Sequence, residues 1–229
     1  MDLGIIQITS EPRGQKRYKL FKEVSIPACI SASNGNYVLV SPPNEELQKY
    51  VEGLGGEFST YTAWDKDMSR KWRQGLASRN EEWVGFFADD TFPDENWHKD
   101  MEAFLKDKPP GQYSCRAENY FDGTRHSFGE DWMQFPNRKL GLSHRPLEYD
   151  VKTGYVEDSP TAYFAVCLVH REVLDTIEPF GIFGAAPDVM WSLAIRECGY
   201  PIQFNINARF YFGIGERTDN RRDPRGCFV

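Results

Sequence analysis

Apolar runs and helix-period stretches alternate along the first half of the chain. Residues 3–9 (LGIIQIT) form an almost wholly apolar run, stopped by Ser10-Glu11-Pro12, and read as a strand. A short helix fits 16–24, and 37–41 (YVLVS) reads as a second strand broken by Pro42-Pro43. Asn44 stands where it can cap a helix through Gly53, with Leu47, Tyr50, Val51 and Leu54 at helical spacing. A third short strand is expected at 58–61, then a helix at 67–77 with Met68, Trp72 and Leu76 on one stripe. Residues 83–88 (WVGFFA) have the continuous apolar pattern of a strand covered on both faces. Asp89 and Asp90 stand where that run gives out, and Thr91, Phe92 and Pro93 are read as its terminators. A helix over 95–106 follows, carrying Trp97, Met101, Phe104 and Leu105.

The pattern breaks at 108–160, a stretch rich in glycine, proline and charge whose one strand-like segment is 112–117. Loops and an irregular β excursion are expected there, an insertion of the kind that carries substrate contacts. Order returns with an apolar strand at 163–169, a short helix at 171–177, a helix at 186–198 closed by Gly199, and a last strand at 202–211. From 213 the chain is a basic, glycine-containing tail. Strands alternating with helices imply an α/β fold with a mostly parallel central sheet flanked by helices and one irregular insertion. The 229 residues suit one such domain, 1–229.

Charge narrows the partners. The formal net charge is −7, which argues against a general electrostatic grip on nucleic acid or an anionic membrane. Basic residues nevertheless cluster at 13–22, 70–73 and 217–225. No run approaches a membrane span and no apolar signal core precedes the first strand, so a cytoplasmic protein, of a cell or an infected host, is expected. The 5 cysteines are scattered without a CxxC pair or zinc-ligand spacing and are read as free thiols. Aromatics reach 14%, enough to line a sugar or base site as well as a core.

The chemistry concentrates at Asp89 and Asp90. Ligands of open α/β sheets bind beyond the carboxyl ends of the strands. Two hard oxygen donors at such an end suit Mg²⁺ or Mn²⁺ held together with substrate phosphates. The same doublet can also be a solvated turn after a core strand.

Three segments in order carry a family resemblance. IIQITSEPR is similar to the first strand and nucleotide-facing loop of small, single-domain GT-A nucleotide-sugar glycosyltransferases, of the family 2-like bacterial, phage or viral type. RKWRQGLASRNEEWVGFFADDTFPDENW resembles their helix, strand and metal motif, and AYFAVCLVHREVLDTIEPFGIFGAAPDVMWSLAIRECGYPI their acceptor-side strand, Phe-Gly turn and acidic helix start. The likeness leaves 108–160 uncovered. Where the family carries Asp-x-Asp or three aspartates, this chain has Ala88-Asp89-Asp90. Where many relatives add a histidine after the last strand, Arg209–Gly213 contains none.

The resemblance implies a metal-dependent transferase that moves a sugar from a nucleotide-diphosphate donor, a UDP-sugar first, to a hydroxyl of a glycan, a lipid-linked sugar or a modified DNA base. Asp90 would be a direct metal ligand and Asp89 a second ligand or a ribose contact. Asp188 would be the base of an inverting displacement; its bland role is a charge partner for its helix N-terminus. Thr9, Ser10 and Arg13 would contact base and ribose, and Lys71 and Arg73 the diphosphate, unless the two cations merely form a solvated helix face. Trp97 would stack on the acceptor or pack in the core. The arginines of the tail would form a lid, a patch for an acidic partner or a disordered end. A catalytically inactive nucleotide-sugar-binding module and a viral DNA-base glycosyltransferase are the rival functions; a nucleotidyltransferase lacks its Gly-rich phosphate loop.

Overall fold

The computed structural model describes residues 1–9, 15–62, 68–121, 123, 125–127, 130–134, 140–144, 155–156, 159–162, 166–177 and 187–213. In chain order these give β1 (Leu3–Ile8), α1 (Gln15–Leu20), a π-helical turn Phe21–Ser25, α2 (Ile26–Ala32), β2 (Tyr37–Ser41), α3 (Glu45–Gly53) and β3 (Glu57–Thr60). There follow α4 (Met68–Leu76), β4 (Trp83–Ala88), β5 (Thr91–Pro93), α5 (Trp97–Leu105), β6 (Gln112–Asn119) and β7 (Arg125–Ser127). The chain continues with β8 (Glu130–Gln134), β9 (Leu140–His144), β10 (Tyr155–Val156), β11 (Val166–His170), α6 (Arg171–Thr176), α7 (Pro187–Glu197) and β12 (Ile202–Phe212).

One ten-stranded sheet runs β10-β12-β6-β11-β4-β1-β2-β3, with β5 on β12 and β7 on β6; β8 and β9 make a separate hairpin. The half built from β3, β2, β1 and β4 is parallel, and β11 joins it antiparallel between β4 and β6. β1 is central and buried at every position, as its apolar run requires. Its alternate residues feed two cores. Leu3 and Ile5 face a cluster with Phe21, Ile26, Leu47, Val51, Trp97 and Met101 from α2, α3, α5 and the π-helical turn. Ile6 and Ile8 face the opposite cluster, with Trp72, Val173, Trp191 and Ile195 from α4, α6 and α7. Helices thus cover both faces of the sheet, the expected α/β layering.

Local chemistry sets the ends of several elements. The Asn44 side chain accepts from the Leu47 N–H at 3.0 Å and caps α3. Gly199, at φ +87°, closes α7 in the left-handed conformation anticipated for a glycine C-cap. Two elements depart from expectation. Residues 26–32 form α2, which no periodicity announced, with Pro27 tolerated in its first turn. Thr91–Pro93 does more than terminate β4: after a two-residue turn it forms β5 and pairs antiparallel with the end of β12. Cys29, Cys115 and Cys167 are buried free thiols and Cys198 an exposed one. No helix among the described residues is long and apolar enough to cross a membrane.

Candidate functional site

Asp89 and Asp90 form the turn between β4 and β5, at the carboxyl end of the parallel half of the sheet. The turn is clamped from below. The Thr91 hydroxyl donates to the Ala88 carbonyl at 3.0 Å and accepts from the Ala88 N–H at 3.1 Å. Gln7, the polar position in the otherwise apolar β1, donates from Nε2 to the Ser25 hydroxyl (2.7 Å), the Ala88 carbonyl (2.9 Å) and the Thr91 carbonyl (3.2 Å). Its Oε1 accepts from the Tyr37 hydroxyl at 2.7 Å, and Ser25 donates to the Thr91 carbonyl at 2.8 Å. Gln7, Ser25, Tyr37 and Thr91 are all buried, so a polar group of theirs left unpaired would be costly. From the other side the Gly213 N–H donates to the Asp90 carbonyl. A Cβ at Gly213 would meet the Cδ2 methyl of Leu20, which would have to shift to admit it.

Above the clamp the two carboxylates converge. One nitrogen, Nη2 of Arg17 on α1, lies 2.7 Å from Asp90 Oδ2 and 3.2 Å from Asp89 Oδ1. The Thr9 hydroxyl, just past β1, donates to the other Asp89 oxygen at 2.9 Å. Burial pushes the Asp90 carboxyl up from its ordinary value; Arg17 pulls it down less, and the neighbouring Asp89 charge adds to the rise. One guanidinium faces two carboxyl groups at the doublet. Behind Thr9, buried Lys71 of α4 donates to the Thr9 carbonyl at 3.2 Å and sits 5.4 Å from the Tyr61 ring centroid.

Does this set fit a divalent cation? Both carboxylates present an oxygen to one cationic nitrogen, the arrangement a hard ion bridged by two carboxylates requires. The Arg17 Nε is buried without a hydrogen-bond partner, an orphan that a phosphate oxygen would satisfy. The doublet fits such an ion with phosphate oxygens completing its shell. No group of three or more His, Cys, Asp or Glu side chains able to hold a metal occurs among the described residues.

The structure thus brings Thr9, Lys71, Asp89 and Asp90 together. Arg73 is half-buried on α4, two residues beyond Lys71. That spacing turns it about 200° around the helix, away from the Thr9 neighbourhood. The two cations thus leave α4 from different faces. Ser10 and Arg13 lie outside the described residues, as do the arginines of the tail. For Trp97 the structure takes the core alternative, which corrects its assignment to an acceptor. The residue is 1% exposed, packs edge-to-face on Phe87 at 5.6 Å between centroids, and donates its indole N–H to Cys115 Sγ at 3.1 Å. It is a core residue and presents no face to an acceptor.

Asp188 lies in the first turn of α7, its Oδ1 accepting the Val189 N–H at 3.0 Å. Burial raises its carboxyl above the ordinary value, with the helix N–H groups opposing. It makes no hydrogen bond to Asp89 or Asp90. Its charge is felt by the Cys167 thiol, and Cys167 stands opposite Phe86 in the β11–β4 pairing. One turn further on, Trp191 packs edge-to-face on Phe86 at 5.9 Å. The first turns of α7 therefore pack over β4 at Phe86, three residues before Asp89.

Arg17 and Gln7 are the site residues that sequence reasoning missed. A polar residue inside a fully apolar strand was the available signal for Gln7. Arg17 was hidden within the basic run 13–22.

The sequence matches no family model and no curated protein. The fold is that of the GT-A glycosyltransferases. At 12% identity the chain superposes on GalNAc-T7, solved with UDP, GalNAc and Mn²⁺, with a TM-score of 0.69, covering 92% of this chain and 43% of that one. For the mannosyltransferase PcManGT of Pyrobaculum calidifontis, in complex with GDP-Man and Mn²⁺, the TM-score is 0.63 at 13% identity, over 95% of this chain and 58% of that one. For S. aureus TarS 1-349 it is 0.60 at 13% identity, over 93% and 60%. The chain thus spans roughly half the length of these structures.

Proposed function

We propose that this protein is a metal-dependent glycosyltransferase that moves a sugar from a nucleoside-diphosphate donor to a hydroxyl acceptor. The observation that carries the reading is the convergence of Asp89 and Asp90 on one cationic position at the carboxyl end of β4, within a GT-A fold. The structural neighbours bound to UDP or GDP-Man with Mn²⁺ support the donor class and the ion.

Asp90 and Asp89 would hold Mn²⁺ or Mg²⁺, which as a Lewis acid neutralises charge on a departing diphosphate. Thr9 orients Asp89 through its hydroxyl. Lys71 braces the loop end that leads toward the nucleotide, and Ser10 and Arg13, next in sequence, are assigned to base and ribose. Arg17, once exchanged from the carboxylates to the diphosphate, is the chain's own cation for the leaving group. Asp188 takes the proton from the acceptor hydroxyl, and an attack that it assists from the opposite face inverts the anomeric centre. Its burial suits it to this task, because a raised carboxyl is a stronger base than an exposed one.

A second reading, a nucleotide-sugar-binding module without turnover, is favoured by Arg17 standing where an ion would sit. Hydrolysis and transfer assays with UDP- and GDP-sugars in Mn²⁺ separate the two. Turnover abolished by Asp188→Asn with donor affinity retained supports the enzyme. Donor binding without turnover in the parent chain supports the module.

A further inference from the structure

The edge of the sheet beside the doublet is two-faced. β5, β12 and β6 lie side by side, with Tyr211 opposite both Phe92 and Glu118, and Arg209 opposite Arg116. Strand alternation sends Ala117, Phe210 and Phe212 into the core. The other face collects a different set. Phe92, Tyr120 and Tyr211 form an aromatic trio with centroids 5.2 to 5.7 Å apart, and Phe121 extends it at 5.6 Å from Tyr120. Tyr120 is 43% and Phe121 54% exposed, and both belong to the few large apolar side chains exposed among the described residues.

Beside the rings runs a polar row. Arg209 donates from Nε and Nη2 to Asp94 Oδ2 at 3.1 and 2.6 Å and reaches Glu118 at 3.4 Å. Tyr211 donates its hydroxyl to the same Asp94 oxygen at 3.3 Å, and Arg116 pairs with Glu118 at 3.0 Å. Burial acts to raise the Asp94 carboxyl, but the Asn96 N–H and the Arg209 guanidinium outweigh it and hold it below its ordinary value. Two guanidinium groups and two carboxylates thus neutralise one another. Such a row attracts neither phosphate nor cation, yet its carboxylate oxygens and guanidinium forks are well suited to paired hydroxyls.

The position is as telling as the chemistry. The Gly213 N–H bonds the Asp90 carbonyl and the Tyr120 N–H bonds the Phe212 carbonyl, so Tyr120 lies two strand spacings, about 10 Å, from the doublet. That is the reach of a short sugar chain whose end lies at the donor.

We propose that this face of β5, β12 and β6 is a binding platform for a neutral oligosaccharide, with Tyr120 and Phe121 stacking on sugar rings while Arg209, Asp94 and Glu118 bond their hydroxyls. The assignment rests on the transferase reading and names its acceptor class: a glycan rather than nucleic acid.

The full chain, fluorescently labelled, is applied to an array of neutral and acidic glycans, together with Tyr120→Ala/Phe121→Ala and, as a control distant from the platform, Leu54→Ala. The expected result is retention on neutral glycans, reduced at least tenfold in the double variant and unchanged in Leu54→Ala. Retention on acidic glycans alone, on none, or undiminished in the double variant overturns the platform. Hydrolysis of UDP- and GDP-sugars by the parent chain is measured in parallel. Donor turnover without glycan retention removes the platform and leaves the transferase. Neutral-glycan retention without donor turnover keeps the carbohydrate site and removes the transferase.

Discussion

Arg17 holds Asp90 at 2.7 Å with the same nitrogen that reaches Asp89, so the doublet carries its own removable counter-ion. Arg17 is 40% exposed along its side chain, whereas the carboxylates are 15% and 23% exposed. The guanidinium, the more exposed partner, is the one that yields to a competing ion. A metal arriving with phosphate oxygens must displace it.

Arg17→Ala therefore tightens Mn²⁺ binding to the donor-free protein, by about tenfold or roughly 1.4 kcal/mol. Mn²⁺ titration followed by electron paramagnetic resonance checks this. Unchanged affinity would place the ion elsewhere. The same variant weakens donor binding, since the diphosphate loses a cation.

Asp90→Asn and Asp188→Asn each stabilise the fold at neutral pH while ending turnover. Both carboxyls are raised chiefly by burial. Between the ordinary and the raised value the folded chain binds more protons than the unfolded one, so stability falls as pH climbs through that window. A neutral amide escapes the loss. The gain, about 2–4 °C in melting temperature for each kcal/mol in a chain of this size, shrinks as the pH drops below the ordinary carboxylate value. Thermal scans across pH test it, and a gain independent of pH would refute the cause.

For the same reason the acid limb of the transfer rate lies above the ordinary carboxylate range. Protonating Asp188 removes the base, so turnover falls as pH drops through its raised value. A rate profile whose acid limb sat at or below that range would exclude Asp188 from the role.

Gln7→Leu orphans the Tyr37 hydroxyl and takes one of two side-chain donors from each of the Ala88 and Thr91 carbonyls, at a cost of about 1–3 kcal/mol. It also loosens the turn that aims the carboxylates. Denaturant unfolding and Mn²⁺ affinity should fall together. Trp97→Phe, by contrast, costs about 1–2 kcal/mol and leaves donor turnover intact, because that indole serves the core.

Much of this was legible in the chain. Residues 83–88 and 3–9 are apolar throughout because both sheet faces are covered, and that continuity marked the strands and the doublet at their end. Helix α3 announced itself through Asn44 and its apolar spacing. What escaped was long-range or contradictory to local rules. Residues 26–32 contain proline and lack a clean stripe, and their buried side chains join a core cluster assembled from distant parts of the chain. Thr91–Pro93 reads as a strand breaker, yet its pairing with β12, more than a hundred residues away in sequence, makes it an edge strand where proline is tolerated. Trp97 has the same composition cue whether stacked on a ligand or on Phe87, and sequence cannot separate the two. The Arg17 contact crosses 72 and 73 residues and leaves no periodic trace.

The turn carrying the doublet is braced on one side by Gln7 of β1 and on the other by Gly213, just after β12. During synthesis the intervening elements can collapse as they leave the ribosome, but the two acidic groups gain their second support only when translation has passed residue 213. The shape of the acidic turn thus depends on a backbone amide 123 positions downstream of Asp90, and it is settled only after β12 has been laid against β5.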